Sequence, residues 1–162
     1  EAIARKLGAS FFAEPFITPR NNFDRTPLRY RVNQSNLNIV ADYFIRTNRK
    51  YFCENQKRGL ICNVGRSVAA ISPRGDVYPC EGLQISAGNI RSKSLKEIWH
   101  TSSVLRKIRK LSEKDFTDCY RCGLKKFCSR CLGLVYLEKG NYLKKAAIFC
   151  QITEAIKRSL KH

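Results

Sequence analysis

Four cysteines crowd into thirteen residues, at Cys119, Cys122, Cys128 and Cys131, in the pattern C-x2-C-x5-C-x2-C, and four more stand at Cys53, Cys62, Cys80 and Cys150. Thiols packed this densely call for disulfides or a shared ligand, and either one dictates where the chain must return to itself. The residues alone leave three readings open. Disulfides suit an even count, but C-x2-C pairs in a chain without signal-peptide character more often bind metal or carry redox chemistry. Zinc also uses C-x2-C knuckles, although five residues between the two pairs is short for an ordinary four-cysteine ribbon. Iron-sulfur clusters use eight soft ligands as two sets of four, one thiolate at each iron corner of a 4Fe-4S cube.

With 162 residues and 43% hydrophobic composition, the chain has enough apolar surface for one moderate core and does not read as disordered. No run approaches the roughly 18–20 apolar residues that span a bilayer, and Glu1 to Gly8 does not resemble a signal peptide, so the expectation is a soluble, cytoplasmic protein without membrane contact. The chain has no methionine and starts Glu-Ala-Ile, from which we expect a segment upstream. The formal charge of +18, from 31 Lys and Arg against 13 Asp and Glu, raises a nucleic-acid or acidic-partner hypothesis. Two fully ligated clusters at about −2 each would lower that total by about 4, to about +14, and leave the surface basic. A solvated lysine-rich face is the plainer reading, an acidic peptide or protein partner the second, and nucleic acid the last.

Along the chain, Ile3, Ala4 and Leu7 make a short helical face before Gly8, and the apolar stretch Ser10 to Ile17 predicts a strand. Thr18 to Asn33, broken by Pro19 and Pro27, predicts a loop. Ser35 is the expected N-cap of a helix that buries Leu37, Val40, Phe44 and Ile45. Val68–Ser72 and Val77–Pro79 predict a hairpin around Pro73-Arg74-Gly75-Asp76, ending in Cys80. Ser94 and Glu97 form a capping-box pattern for a helix through Trp99; a second helix carries Val104, Leu105, Ile108 and Leu111, and a last one runs from Cys150 to Leu160.

The spacing Cys62, twelve residues, Gly75, four residues, Cys80, then C-x2-C-x5-C from Cys119 to Cys128, Cys131 and finally Cys150, resembles the SPASM domain, the C-terminal auxiliary cluster domain of radical S-adenosylmethionine (SAM) maturases. That family usually has three residues where only Ser129 and Arg130 separate Cys128 from Cys131. The resemblance spans about residues 50 to 160 and implies an α+β fold: a small irregular cluster-binding domain with a β-hairpin and several helices over 35–162. It also implies that 1–34 is a linker and the last helix-strand portion of a radical SAM partial (β/α) barrel. It places Cys62, Cys80 and Cys131, with Cys53 as fourth ligand, on a first auxiliary 4Fe-4S cluster, and Cys119, Cys122, Cys128 and Cys150 on a second. Gly75 would aim Cys80 at its iron.

The C-x3-C-x2-C triplet that binds the SAM cluster is absent from this sequence, so this segment is not expected to cleave SAM by itself, and no catalytic acid, base or nucleophile is assigned. The resemblance implies an upstream barrel, expected on the same polypeptide, holding SAM and a third 4Fe-4S cluster. It further implies a peptide or protein substrate undergoing post-translational maturation, and a ferredoxin- or flavodoxin-like electron carrier. The auxiliary clusters would serve electron transfer and substrate positioning; full cysteine ligation favours electron transfer. Two other functions remain open: a stand-alone iron-sulfur electron-transfer or substrate-binding module, and a zinc-stabilised interaction module. Of the remaining residues, His100 and His162 read as surface, Phe11, Phe12 and Phe16 as core, and Tyr78 as hairpin packing. Arg74, Lys125 and Lys126 read as solvated, with tuning of a nearby cluster as the alternative.

Overall fold

The computed structural model describes residues 1–11, 15–54 and 60–160, without the side chains of 48–54. Helices accompany a three-stranded antiparallel sheet in the order β1-β2-β3, the α+β architecture expected. The elements are α1 (Ala2–Lys6), α2 (Leu37–Glu54), β1 (Ala70–Ile71), β2 (Asp76–Tyr78), β3 (Gly88–Asn89), α3 (Leu95–Thr101), α4 (Ser103–Arg109), α5 (Thr117–Tyr120), α6 (Leu132–Lys139) and α7 (Ala147–Ser159).

The hairpin forms where its turn chemistry puts it. Gly75, at φ +89°, donates its N–H to the Ser72 carbonyl at 2.8 Å, and Ser72 donates to the Asp76 carbonyl at 2.9 Å. A side chain at 75 would be strained, and its Cβ would lie 2.8 Å from Asn89 Oδ1. Pairing is shorter than expected, with Ala70 opposite Tyr78 and Ile71 opposite Val77, while β3 adds a partner the sequence did not announce, placing Val77 opposite Gly88.

Helix α2 is entered through a short 3₁₀ turn whose N-cap is Asn33, not Ser35: Asn33 Oδ1 accepts the Asn36 N–H at 3.1 Å, and Ser35 spends its hydroxyl on that same oxygen at 2.9 Å. Ser94 caps α3 as expected by accepting the Glu97 N–H at 3.1 Å, and the Glu97 carboxylate meets Lys93 Nζ at 2.8 Å. Helix α7 begins at Ala147, ahead of the expected Cys150.

Two apolar cores result. Leu37 and Ala41 of α2 pack with Val135 of α6 and with Ile148, Phe149, Ile152, Ala155 and Ile156 of α7. Leu60, Val64, Leu83, Ile108, Phe116 and Leu132 form the other. Helix α6 belongs to both, contributing Leu132 to one and Val135 to the other, so it fixes their relative position. Residues 15–34 also lie on these cores: Phe16 stacks on Phe149 with centroids 4.8 Å apart, and Phe23 meets Tyr136 edge-on at 5.5 Å. Arg31 reaches Glu138 of α6 at 2.6 Å in an ion pair whose side chains are 19% and 6% exposed.

The strand expected over Ser10–Ile17 does not form at residues 10, 11 and 15–17; residues 12–14, including Phe12, lie outside the described residues. A strand exists only beside a partner, no described segment pairs with it, and Pro15 has no N–H to offer. Phe11, expected in the core, is 47% exposed, with its ring edge-on to Tyr43 at 5.7 Å. Among the described residues, no helix is long and apolar enough to cross a membrane.

Candidate metal centre

Cys128 and Cys131 pack at the edge of one core, and Cys80 and Cys119 at the edge of the other. Cys62 lies exposed between buried Leu60 and Val64. Cys80 follows β2 and buried Pro79, then turns back through a bridge with Leu83. Cys119 lies in α5, packed beside the core that holds Phe116, and exposed Cys122 follows that helix. Cys128 closes the 3₁₀ turn Lys125–Phe127, Cys131 is the N-cap of α6, and Cys150 sits in the first turn of α7. The backbone of Cys53 belongs to the end of α2, and its side chain lies outside the described residues. All seven described cysteines are free thiols.

Electrostatic coupling sorts these thiols into two groups. Burial pushes the Cys80 thiol up, the N–H groups of Gly82 and Leu83 pull it down, and the thiols of Cys131 and Cys62 push it up again. Cys119 is raised by burial, lowered by the Arg130 guanidinium, and raised by Cys128 and Cys122. Burial also raises Cys150, with Cys128, Cys119 and Cys122 adding to it and Lys145 opposing. One neighbourhood therefore contains Cys62, Cys80 and Cys131, and the other Cys119, Cys122, Cys128 and Cys150.

Among the described residues, no three His, Cys, Asp or Glu side chains close on a point where one ion would sit. A single zinc ion with Zn–S of about 2.3 Å draws its thiolates into mutual contact. A cube that binds one thiolate per iron corner accepts a wider spread. Its sulfurs also take hydrogen bonds from backbone N–H groups, which set cluster potential. Such donors are in place: the Gly82 and Leu83 N–H groups lie near enough to Cys80 to lower its thiol, and Leu124 donates to Cys122 Sγ at 3.4 Å. Free thiols with backbone N–H donors beside them are a donor set that suits iron-sulfur ligation.

Two features the sequence reading passed over hold the geometry. Gly133 of α6 crosses the Gly82 backbone so closely that a Cβ at 133 would stand 2.5 Å from the Gly82 carbonyl carbon and 2.7 Å from its oxygen. This crossing holds the Cys80 loop against the start of α6, and so against Cys131. Arg130 is 8% exposed; its Nη2 donates to the carbonyls of Tyr142 and of Lys144, the latter at 2.8 Å, and its guanidinium lies 4.4 Å over the Phe116 ring. Burial opposes its charge, while Cys119, Cys128 and Cys131 favour it.

The residues offered for cluster tuning fare differently. Arg74 and Lys126 are exposed, and Lys125 pairs with Glu113 at 3.0 Å. His100 is exposed, and His162 lies outside the described residues. Tyr78 is half-buried and lines an open cleft of about 460 Å³ with Glu81, Gly82, Leu134 and Leu137.

Comparison with known proteins gives a family match over part of this region. Residues 62–123 match the model of the SPASM family, an iron-sulfur cluster-binding domain. A protein named AdoMet-dependent heme synthase from Methanosarcina barkeri is 37% identical over 84 residues, which cover 52% of this chain and 24% of the relative. A second protein of that name, from Nitratidesulfovibrio vulgaris, is 27% identical over 117 residues, covering 72% of this chain and 29% of the relative. The chain thus spans about a quarter of the length of the curated relatives it matches. No solved structure gives a significant match. Over residues 62–123, then, the chain is similar to the SPASM iron-sulfur cluster-binding domain.

Proposed function

We propose that the chain is the auxiliary-cluster domain of an AdoMet-dependent radical enzyme and holds two 4Fe-4S clusters. Cys62, Cys80 and Cys131, with Cys53 as fourth ligand, hold the first; Cys119, Cys122, Cys128 and Cys150 hold the second. The observation that carries this reading is the separation of the described thiols into those two neighbourhoods. The interleaving has a physical use. Cys131 must reach back to the hairpin while Cys150 reaches back to α5, so the ligands cross-link loops that secondary structure alone secures poorly.

Bound clusters of this kind supply one-electron transfer, and full ligation by cysteine leaves no iron open to substrate. The protein's share is to fix the thiolates, offer N–H donors to Cys80 and Cys122, and bury Cys80, Cys119 and Cys150 enough to limit water. The open cleft beside Tyr78 and Glu81 abuts the Cys80 loop and gives the substrate side of the domain a surface next to the first neighbourhood. Its substrate is a heme precursor on the strength of the relatives' names. A peptide or protein is the second reading, favoured by the +18 charge, which suits an acidic segment. The upstream barrel and a ferredoxin- or flavodoxin-like electron donor complete the enzyme.

Single substitutions test the division. Cys80→Ala and Cys122→Ala, prepared anaerobically, should each lose about four of about eight irons and keep the other cluster's spectrum. Loss of all iron from either variant would mean one cooperative site and would overturn the two-cluster assignment. The full-length enzyme, given SAM, reductant and each substrate class in turn, distinguishes heme-precursor conversion from peptide modification.

A further inference from the structure

The residue between Cys128 and Cys131 that has no solvated alternative is Arg130, 8% exposed. Among the described residues, two of its nitrogens, Nε and Nη1, are buried without a hydrogen-bond partner of good geometry, the Cys119 thiol lying close enough only to draw on the guanidinium. Leaving a buried donor unpaired costs about 1–3 kcal/mol, and more when the group is charged. Within the protein, the Phe116 ring and the neighbouring cysteine sulfurs are what stand against that cost. The guanidinium is not free to turn toward water: Nη2 is held by the carbonyls of Tyr142 and Lys144, and its face rests on Phe116. The cysteines near enough to favour its charge are Cys119, Cys128 and Cys131, which belong to different neighbourhoods.

A clamp for the loop at 142–144 needs only Nη2. The orphaned Nε and Nη1 need acceptors, and a guanidinium beside sulfur ligands of both groups finds strong ones when those sulfurs carry negative charge. We infer that Arg130 is a shared tuning residue, donating Nε–H and Nη1–H to thiolate or sulfide sulfur of both clusters and raising both reduction potentials. It would touch the clusters and no substrate, so its effect is read in their potentials. The inference rests on the proposed ligation by both neighbourhoods. In it, one fixed positive charge makes addition of an electron on either side easier, and the chain has set that charge by burial instead of by the exposed lysines of the same loop.

The test is a spectroelectrochemical titration, followed by electron paramagnetic resonance, of the anaerobically reconstituted chain as wild type, Arg130→Gln and Arg130→Lys. Iron and sulfide content and the melting temperature of the metal-free protein are measured alongside. Arg130→Gln should keep its iron and sulfide and shift both midpoints to more negative potential by at least a tenfold change in the oxidised-to-reduced ratio, which is 59 mV for one electron. Arg130→Lys, which keeps the charge but not the fork, should fall between. Fully loaded variants whose midpoints do not move, or in which one cluster alone responds, would overturn the inference even if the metal-free protein melts lower, because a clamp changes only melting. If Arg130→Gln does not fold, Arg130→Lys decides by the same criterion. A wild-type chain that takes up no sulfide would overturn the cluster assignment itself and this inference with it.

Discussion

Replacing Gly133 by alanine places a methyl group 2.5 Å from the Gly82 carbonyl carbon, 2.7 Å from its oxygen and 2.8 Å from its Cα. Ordinary contact begins near 3.4 Å, so the two backbones must part by several tenths of an ångström at least, and no rotamer change relieves a clash between main chains. Overpacking of this kind costs about 1–3 kcal/mol, and a backbone clash falls at the upper end. Alanine recovers up to about 1 kcal/mol of helix propensity at this position of α6. The net loss is then about 2 kcal/mol, or about 4–8 °C in melting temperature for a chain of this size. The displaced Gly82 loop also carries the N–H groups that face Cys80, so the first neighbourhood should load iron poorly while the second loads fully. Gly123→Ala is the control, since a Cβ there meets nothing within 4 Å, and it should stay within about 0.5 kcal/mol of wild type. Thermal melts of the metal-free chain and iron counts after anaerobic reconstitution read both effects. A Gly133→Ala protein that melts like wild type and binds full iron would refute the argument that the crossing sets the position of Cys80.

Arg31→Ala leaves the Glu138 carboxylate, 6% exposed, without its 2.6 Å partner and should cost about 3 kcal/mol in chemical denaturation; the double replacement Arg31→Met with Glu138→Leu should recover much of that. Glu113 is held below its ordinary value first by the hydrogen bond from Lys125, aided by the Leu60 N–H, so this stabilisation is present above about pH 4.3, the unfolded value, and is lost as pH falls through the lower folded value. Both partners are about one-third exposed, which limits the effect to below about 1 kcal/mol, and Glu113→Gln should flatten the melting profile of the metal-free chain between about pH 3 and 5. Cys53→Ala should lower iron in the first neighbourhood alone; full occupancy of both would remove Cys53 from the ligand set.

The cysteine pattern was legible because ligand chemistry needs particular side chains at particular spacings, and tertiary context has little freedom to move them. The hairpin was legible for a similar reason: Pro73 and Gly75 specify a turn whatever surrounds it. Other elements depended on partners that sequence does not display. Strand β3 is only Gly88–Asn89, too short for any alternation to show, and it exists because Val77 is there to pair with Gly88. Ser10–Ile17 carries strand composition and finds no neighbouring strand. Helix α6 is apolar on nearly every face, Leu132 through Leu137, because it lies between two cores, which hides the helical period that would have announced it. Arg130 was invisible for a different reason. One more basic residue in a lysine-rich loop looks solvated, and only the fold shows that this one is enclosed.

Iron, acid-labile sulfide and zinc content of the anaerobically prepared chain, taken with its visible spectrum, tests the central claim most directly. About eight iron and eight sulfide per chain with a broad brown absorbance is the expected result. One or two zinc without sulfide, persisting after anaerobic reconstitution with iron and sulfide, would contradict it and leave a structural zinc module in place of an electron relay.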